Sequence, residues 1–405
     1  MATECFTVGY AQQAITPSLE RPVYLAGFGQ NRVAQSVHDD LYVRALAVGL
    51  QDARVVLAAL DLVGLPRQCC QEIERRVNGN GPGTRAIVAS THTHHGPDTI
   101  GLWGPDLTTP GTDADYLAGL EDRVVDTALA ALSRVQPAQL RCATAHVPGV
   151  AKNARDPHIV DDELTCMQFC SPTGNRSLAT MLIFPCHPEV LWEHNPHITS
   201  DYPGFLRRRV EAETGAPCLF FSGALGGMMT PDVQDHSFEE AEAMGNRLAD
   251  AALDALRGER NRVFSEKPGF SGFSRREFAV PMTNPLFRMA MEGGLLPNVL
   301  TGAGEVVTEA DLVRLGPAWL ACVPGELLPK LGLALKADLR RAGAQVAAIV
   351  GLANDELGYI LPPEDYVYPE DPFSPGSHYE ETMSVGPEIG PRLLAAVRAM
   401  LEELR

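Results

Sequence analysis

The sequence predicts an α/β protein in which mixed β-sheets are flanked by helices, and three observations favour this class. Apolar, β-branched runs of strand length alternate with stretches of helical periodicity. The order strand, strand, helix, strand, helix occurs three times along the chain. A loop rich in Gly, Pro or His follows the third strand of each unit, where α/β proteins tend to place functional side chains. We therefore predict three similar ββαβα units in one domain that spans residues 1–405.

The first two units are the more regular ones. Their strands are short apolar runs, and their helices have apolar residues at helical spacing. The first unit comprises strands Leu41–Leu50 and Val55–Leu60, helix Arg67–Val77, strand Ala86–Ser90, loop Thr91–Asp98 and helix Tyr116–Val135. The second comprises strands Glu163–Phe169 and Leu178–Phe184, helix Tyr202–Glu213, strand Cys218–Phe221, loop Ser222–Asp232 and helix Phe238–Leu256.

The third unit is less regular, because the pattern does not define its first strand. Its other elements are strand Ala318–Val323, helix Leu328–Ala342, strand Val346–Val350, loop Gly351–Pro363 and helix Pro391–Leu404. The segment Thr283–Thr308 lies outside the repeat and is rich in Met, Leu, Gly and Pro. It is either an insertion that covers a pocket as a lid or an ordinary long surface loop.

Composition excludes several classes of function. The formal net charge of −18 argues against a nucleic-acid partner, which needs clustered Lys and Arg, and against docking on an anionic membrane. No apolar run is long enough to span a bilayer. The N-terminal residues lack the pattern of a signal peptide. The nine cysteines are scattered and form no CxxC pair. We therefore expect a cytoplasmic protein with buried free thiols and no zinc bound through cysteine.

Metal-binding residue types occur where the predicted strands end. The second strands lead into Asp61, His187 and Glu326. The third strand of the first unit leads into His92 and His94, and in an extended chain residues two apart point to the same face. Imidazole and carboxylate groups suit zinc. These strand ends therefore predict a metal site.

Each of these residues also has a structural interpretation. The His92 and His94 pair is either a metal site or a hydrogen-bonded structural cluster, and His95 packs or faces water. A single buried histidine such as His187 is commonly structural. Glu326 follows an apolar strand, so its carboxylate needs a partner or a metal. Tyr359 is either a core residue or an uncommon phenolate ligand.

Five strings of residues, taken together, resemble the neutral/alkaline ceramidase family. The resemblance covers essentially the whole chain and corresponds to the catalytic domain alone. N-terminal strings such as Ala14-Ile-Thr-Pro17 and His38-Asp-Asp-Leu-Tyr-Val-Arg44 also fit the family. The five strings are Thr91-His-Thr-His-His-Gly-Pro97, Phe184-Pro-Cys-His-Pro188, Ser200-Asp-Tyr-Pro-Gly204, Val323-Pro-Gly-Glu326 and Asn354-Asp-Glu-Leu-Gly-Tyr359.

The resemblance implies a specific set of site residues. One zinc ion per chain would be bound by His92, His187, Glu326 and Tyr359. The resemblance also implies substrate or catalytic roles for four further residues. These are His94, which would hold the amide, Arg155 as an active-site arginine, Tyr379 as a substrate contact, and Gly27 in a turn near the pocket.

Departures from the family strings concern the surroundings of the substrate. The family's catalytic serine is replaced by Thr230, and an acidic residue two positions earlier is replaced by Met228. The loop that ends at Tyr366, which we expect to bind substrate, is also altered. The ligand residues are retained while the substrate contacts differ, so we expect an amide other than ceramide.

The expected activity is zinc-dependent hydrolysis of an amide bond in a small N-acyl compound. The attacking group is either a water activated by zinc or the hydroxyl of Thr230, with His94 or Arg155 stabilising the developing charge. Two alternatives stay open. The same metal also serves esterases, lactonases and phosphoester hydrolases, and a non-catalytic zinc-stabilised binding protein is the third class. The sequence leaves the oligomeric state, and a second metal near Asp61, undecided.

Overall fold

The structure, a computed structural model, describes residues 6–50, 53–79, 83–258, 262–264, 272–297 and 300–403. Strands and helices alternate through these residues. The strands are β1 (Phe6–Ala14), β2 (Ser36–Val37), β3 (Tyr42–Leu50), β4 (Ala53–Leu60), β5 (Thr84–Ser90), β6 (Gln136–His146), β7 (Ala151–Asn153), β8 (Glu163–Cys170), β9 (Ser177–Phe184), β10 (His197–Ile198), β11 (Cys218–Ser222), β12 (Met229–Pro231), β13 (Arg262–Phe264), β14 (Gly272–Pro281), β15 (Glu305–Leu315), β16 (Ala318–Cys322), β17 (Glu326–Leu327), β18 (Val346–Val350) and β19 (Tyr359–Ile360). The helices are α1 (Arg67–Asn78), α2 (Ala114–Ser133), α3 (Tyr202–Thr214), α4 (Phe238–Arg257), α5 (Pro285–Glu292), α6 (Pro329–Ala342), α7 (Tyr379–Thr382) and α8 (Ile389–Glu403), with short 3-10 turns at Pro363–Asp365 and Gly376–His378.

Two mixed sheets contain most of the strands. The larger follows the order β11-β9-β8-β6-β1-β3-β4-β5, with β13 paired to β6, and the smaller follows β14-β15-β16-β18. Within them, β4–β5, β9–β11 and β16–β18 are parallel, and the other described pairs are antiparallel. Helices flank both sheets, so the predicted mixed α/β class is confirmed.

The three predicted units have the same strand pairing. In each, an antiparallel pair is followed by a helix and a strand parallel to the second member: β3, β4, α1, β5; then β8, β9, α3, β11; then β15, β16, α6, β18. Equal pairing alone does not establish that the units superpose. Their description as similar repeats stays a prediction.

A single apolar core lies between the three groups of strands. Leu57 of β4, Phe221 of β11 and Leu320 of β16 are fully buried in it together. The outer faces of the strands are covered by helices, α1 and α2 on the first group, α3 and α4 on the second, and α6 and α8 on the third. Burial on both faces explains why these strands are almost continuously apolar.

Some elements differ from the prediction for identifiable physical reasons. The first strand of the third unit is β15, whose apolar run is interrupted by Glu309 and Asp311. Both are buried and bind the Arg85 guanidinium at 2.7 and 2.9 Å, so the charges that interrupt the apolar pattern lie inside the fold. The expected insertion Thr283–Thr308 therefore overlaps β15, and α5 forms within it.

The helix expected at Tyr116–Val135 begins and ends two residues earlier, as α2. Its start is set by Asp113, whose carboxylate accepts hydrogen bonds from the backbone N–H groups of Asp115 and Tyr116. The prediction also lacked β1 and β6, which join the two halves of the large sheet. In β6, exposed or half-buried polar residues alternate with buried apolar ones, and this weakens its apolar signal.

Every described cysteine is a free thiol, and all except Cys69 are buried. Across the part of the chain that the structure describes, no helix combines the length and the apolar character needed to cross a bilayer.

Asp61, at the end of β4, forms a buried ion pair. Both of its carboxylate oxygens accept hydrogen bonds from the guanidinium of Arg207 on α3, at 2.7 and 2.8 Å. The backbone N–H of Tyr42 donates to the same carboxylate at 3.0 Å. The Asp61 carboxylate is therefore engaged in linking the first and second units.

Replacing one member of this pair should destabilise the protein strongly. Arg207→Met leaves the Asp61 carboxylate buried and unpaired, so we expect the free energy of unfolding to fall by about 3–5 kcal/mol in urea denaturation. Arg209→Met is the control, because Arg209 pairs with Glu213 and Asp250 at the surface and its loss should cost below about 1 kcal/mol. Equal losses in the two variants would contradict the structural role of the pair.

Candidate metal centre and cavity

The segment after β5 brings His92 and His94 together by a route the sequence did not predict. His92 has a φ of +69°, a left-handed conformation, so the segment is not a regular extended strand. The two histidines therefore do not come together through the alternation of side chains along an extended strand, and that part of the prediction is wrong. The two rings nevertheless meet, with centroids 4.8 Å apart. His95 is fully buried, with Nε2 3.5 Å from Asp201, so it packs and does not face water.

Backbone hydrogen bonds fix where each histidine lies. The His92 N–H donates to Leu62 O at 2.8 Å, and the His187 N–H donates to Met229 O at 2.8 Å. Each ring is held in addition by its Nδ1 atom, at 2.5 Å from Val63 O for His92 and 3.0 Å from Met229 O for His187. A carbonyl at Nδ1 places the proton there and leaves Nε2 for another partner.

The free edges of His92 and His187 point to one carboxylate oxygen. Glu326 Oε2 lies 3.0 Å from His187 Nε2 and 3.5 Å from His92 Nε2. Glu326 is held in place by its backbone N–H, which donates to Gly358 O at 3.0 Å, and it pairs with Tyr359 in the β17–β19 ladder. Four residues predicted as ligands thus come from strand ends that are distant in sequence.

His94 completes a buried group of three imidazoles. One ligand atom from each of His92, His94 and His187 lies within 4.8 Å of the others. The Nδ1 of His94 lies 3.0 Å from Glu189 Oε2. Neither ring nitrogen of His94 nor either carboxylate oxygen of Glu189 makes a hydrogen bond of good geometry. Such unsatisfied buried polar atoms are expected where an ion or a ligand normally binds.

The electrostatic field of the site favours a cation. Burial lowers the pKa of His187, but the carboxylates of Glu189 and Glu326 outweigh it and raise that pKa to about 9. Burial raises the pKa of Glu189, whereas the neighbouring His187 and His94 lower it to about 2. For Glu326, burial is likewise outweighed by His92 and His187, and its pKa lies below the usual range. Two ionised carboxylates therefore face the histidines.

A cavity opens directly next to this group. It encloses about 710 Å³ of space, counting its open mouth. Its polar end is lined by His92, His94, Glu326 and Tyr359, and the ring of Tyr379 lies 6.1 Å from that of Tyr359. Its remaining wall is largely apolar and comprises Val63, Ile100, Leu102, Trp103, Phe287, Met291, Leu296, Leu357, Met383 and Val385. Phe287, Met291 and Leu296 belong to the segment predicted as an insertion over a pocket.

Four predicted site residues, one of which is the buried His187, are not among the described residues that line the cavity. Arg155 lies beside it, where its guanidinium binds Glu380 at 2.5 Å and Glu381 at 2.8 Å. The Tyr366 hydroxyl donates to Glu381 O at 3.4 Å. Thr230 is buried in β12 near the Glu189 carboxylate, whose pKa it helps to lower.

Two carboxylates of the site were not predicted from the sequence. Glu189 lies two residues after His187, in a stretch without the periodic pattern of a strand or a helix. Glu356 lies in the loop before Tyr359 and lines the cavity. Both are glutamates in loops, a position that is usually solvated, and only their burial against the histidines or the cavity distinguishes them.

The donor set fits a zinc ion. Two imidazoles with Nδ1 held by carbonyls, a third imidazole with unsatisfied nitrogens, and an ionised carboxylate are the ligand types that zinc prefers. Cysteine is absent from the described lining residues. The predicted ligands His92, His187 and Glu326 therefore lie together, with Tyr359 in the same cavity.

Gly27 allows the turn to approach His94 closely. Its φ is +97°, and a Cβ atom built there would lie 2.2 Å from Cγ of His94. We expect Gly27→Ala to lower the free energy of unfolding by about 1–3 kcal/mol and to displace the His94 ring, as measured by thermal denaturation and a crystal structure. Gly29→Ala is the matched control, because a Cβ there meets nothing within 4 Å. An undisplaced His94 in Gly27→Ala would refute this.

Comparison with known proteins agrees with the family resemblance. No protein-family model matches the chain. A neutral ceramidase of Mycobacterium tuberculosis (strain ATCC 25618 / H37Rv) is 23% identical over 412 residues, an alignment that covers 78% of this chain and 64% of that protein. The chain thus spans less than two thirds of the length of that curated relative.

Solved structures show the same fold at lower identity. The neutral ceramidase of Pseudomonas aeruginosa superposes with a TM-score of 0.79 at 17% identity, covering 99% of this chain and 75% of that one. A ceramidase complexed with C2 gives the same TM-score and identity and is covered to 76%. These matches show that the chain is similar in sequence to a neutral ceramidase and has the fold of solved ceramidases.

Proposed function

We propose that this protein is a zinc-dependent amidohydrolase that cleaves the amide bond of a small N-acyl compound. The proposal depends on one observation, that three buried imidazoles and the Glu326 carboxylate converge at the polar end of an apolar cavity. An apolar wall suits an acyl chain, and the polar end suits the bond to be cleaved. The similarity to neutral ceramidases supports an amide as that bond.

We propose that one zinc ion is bound by His92, His187, Glu326 and Tyr359. The support is that both Nε2 atoms approach the same Glu326 oxygen and that Tyr359 is its neighbour in the β17–β19 ladder. A zinc ion in such a ligand set supplies Lewis acidity, which polarises a carbonyl and activates water. His94 is the competing candidate for the fourth ligand, since it belongs to the same group of imidazoles.

Two variants distinguish these ligand sets. His187→Ala should lose bound zinc and turnover together, because three ligands rarely retain the metal. His94→Ala should retain zinc while losing turnover, because we assign that ring to the substrate. Zinc content by atomic absorption and hydrolysis of N-acyl amides are the measurements. His146→Ala is the control, since that side chain is 70% exposed on β6. Loss of zinc from His94→Ala would instead indicate a three-histidine centre.

The residues around the ligands would bind and orient the amide. The Glu189 carboxylate, 3.0 Å from Nδ1 of His94, would hold that ring so that Nε2 addresses the substrate. The clamp of Arg155 on Glu380 and Glu381 holds the segment that contains Tyr379, a cavity residue. We therefore propose Arg155 as a positioning residue and Tyr379 as a substrate contact, with Tyr366 supporting the same segment.

We propose that Thr230 positions water and does not attack the substrate. Its side chain is buried near the Glu189 carboxylate, and this β-branched residue lies within the β7–β12 pair. Thr230→Ala should then lower kcat by about 10- to 100-fold, the usual cost of losing a supporting contact. Thr230→Ser should retain most activity. Loss of a nucleophile costs far more, so a fall of kcat by about 10⁴-fold or more would identify Thr230 as the attacking group.

The departure from the family strings lies beside the proposed metal ligands. Met228, which stands where the family has an acidic residue, accepts a hydrogen bond from the Tyr359 hydroxyl at its sulfur, at 3.3 Å. This neutral acceptor in place of a carboxylate changes the surroundings of the reacting bond, and it supports our proposal of a substrate other than ceramide. A panel of N-acyl amides and matched esters separates this activity from an esterase.

The wider organisation follows from the same proposal. We propose that the three ββαβα units are structural repeats within one catalytic domain, supported by their equal strand pairing. We also propose that residues 285–297 cover the cavity, since three of their side chains line it. A cytoplasmic location stays a prediction.

A further inference from the structure

One carboxylate oxygen among the described residues that line the cavity has no hydrogen-bond partner. Glu356 lines the wall, and its Oε1 accepts a hydrogen bond from the Gly358 N–H at 3.0 Å. Its Oε2 is buried and makes no hydrogen bond. An unsatisfied buried carboxylate oxygen costs free energy, so its retention suggests a partner that arrives with a ligand.

The surroundings of Glu356 provide no such partner. Its aliphatic stem packs on Gly64, where a Cβ would lie 2.6 Å from Cγ of Glu356 and 3.0 Å from Cδ1 of Ile100. The other residues of this wall are apolar, among them Val63 and Leu357. The described residues that line the cavity include no lysine and no arginine.

Gly64 also places Glu356 close to the proposed metal centre. The preceding residue, Val63, accepts a hydrogen bond from Nδ1 of His92. Glu356 itself precedes Tyr359 by three residues, and the Gly358 between them accepts the backbone hydrogen bond of Glu326. The free oxygen therefore lies in the apolar wall, next to the end of the cavity where the bond would be cleaved.

We propose that Glu356 is a substrate-recognition residue that accepts a hydrogen bond from an amino or hydroxyl group of the substrate. Burial and the Glu326 carboxylate raise the pKa of Glu356 well above its usual range, so a donor group that arrives with the substrate is the partner that stabilises its carboxylate. The substrate therefore has a donor group close to its scissile amide. The rest of the wall then contacts apolar parts of the same molecule. This inference deepens the proposed function, on which the identity of the cleaved bond depends.

A binding experiment tests this recognition without turnover. Hexylammonium and 1-hexanol have a donor head group, and methyl pentyl ether has the same number of non-hydrogen atoms without a donor. Their affinities are measured by calorimetry on the zinc-loaded protein. We expect the amine, the alcohol or both to bind at least tenfold more tightly than the ether. Glu356→Gln, which keeps the Gly358 hydrogen bond, should weaken hexylammonium by about 10- to 100-fold. Tighter binding of hexylammonium than of 1-hexanol would identify the substrate's donor as an amino group, and the reverse order would identify it as a hydroxyl group.

Two controls make the result decisive. Glu364→Gln removes a carboxylate that is 60% exposed and pairs with Lys330 at the surface, so it should leave all three affinities unchanged. Thermal denaturation and zinc content verify that Glu356→Gln is folded. Equally tight binding of methyl pentyl ether, or unchanged hexylammonium affinity in folded Glu356→Gln, would overturn the proposal.

Turnover separates this inference from the proposed function. For two N-acyl amides that differ by an amino group in place of a methyl group, wild type should prefer the amino compound in kcat/KM, and Glu356→Leu should reverse the preference. If wild type cleaves no amide while the binding pattern holds, the amidohydrolase proposal fails and the recognition role stands. If both amides are cleaved and Glu356→Leu does not alter the preference between them, the recognition role fails and the amidohydrolase proposal stands.

Discussion

The structure depends on one constraint, that the buried loops at the strand ends must satisfy their backbone groups by bonding to one another. Ser90 N–H donates to Leu352 O at 3.2 Å, and Gly351 N–H donates to Ser222 O at 2.9 Å. The Ser222 hydroxyl in turn donates to Thr91 O at 2.7 Å. These backbone groups are satisfied by direct hydrogen bonds between neighbouring loops, without a bridging water. The positions of the histidines and of Glu326 follow from this bonding.

Much of the fold follows from local physical signals in the sequence. Strands buried on both faces are apolar throughout, and helices that cover them repeat at helical spacing, so most elements were predicted near their observed bounds. The exceptions arise from tertiary contacts. β15 was hidden because Glu309 and Asp311 are neutralised by Arg85, which lies more than two hundred residues away. No local pattern contains that information.

The candidate site was predicted through residue types and family strings, and its geometry was not. His92 and His94 share a site because His92 adopts a left-handed conformation, which a strand pattern does not express. Glu189 and Glu356 were missed because a glutamate in a loop is ordinarily solvated. Arg155 was expected among the reacting groups, yet its guanidinium is committed to Glu380 and Glu381. Partners of charged side chains are set by the assembled fold.

The distance along the chain between the grouped residues has a consequence for assembly. His187 and Glu326 are 139 residues apart and meet only when the second and third groups of strands pack on the common core. A local peptide from any one unit therefore lacks most of the donor set, and a cation bound at the centre would cross-link the units. Because such a ligand binds the native state alone, its binding free energy adds to the cooperativity of unfolding, and chelators would loosen the whole molecule.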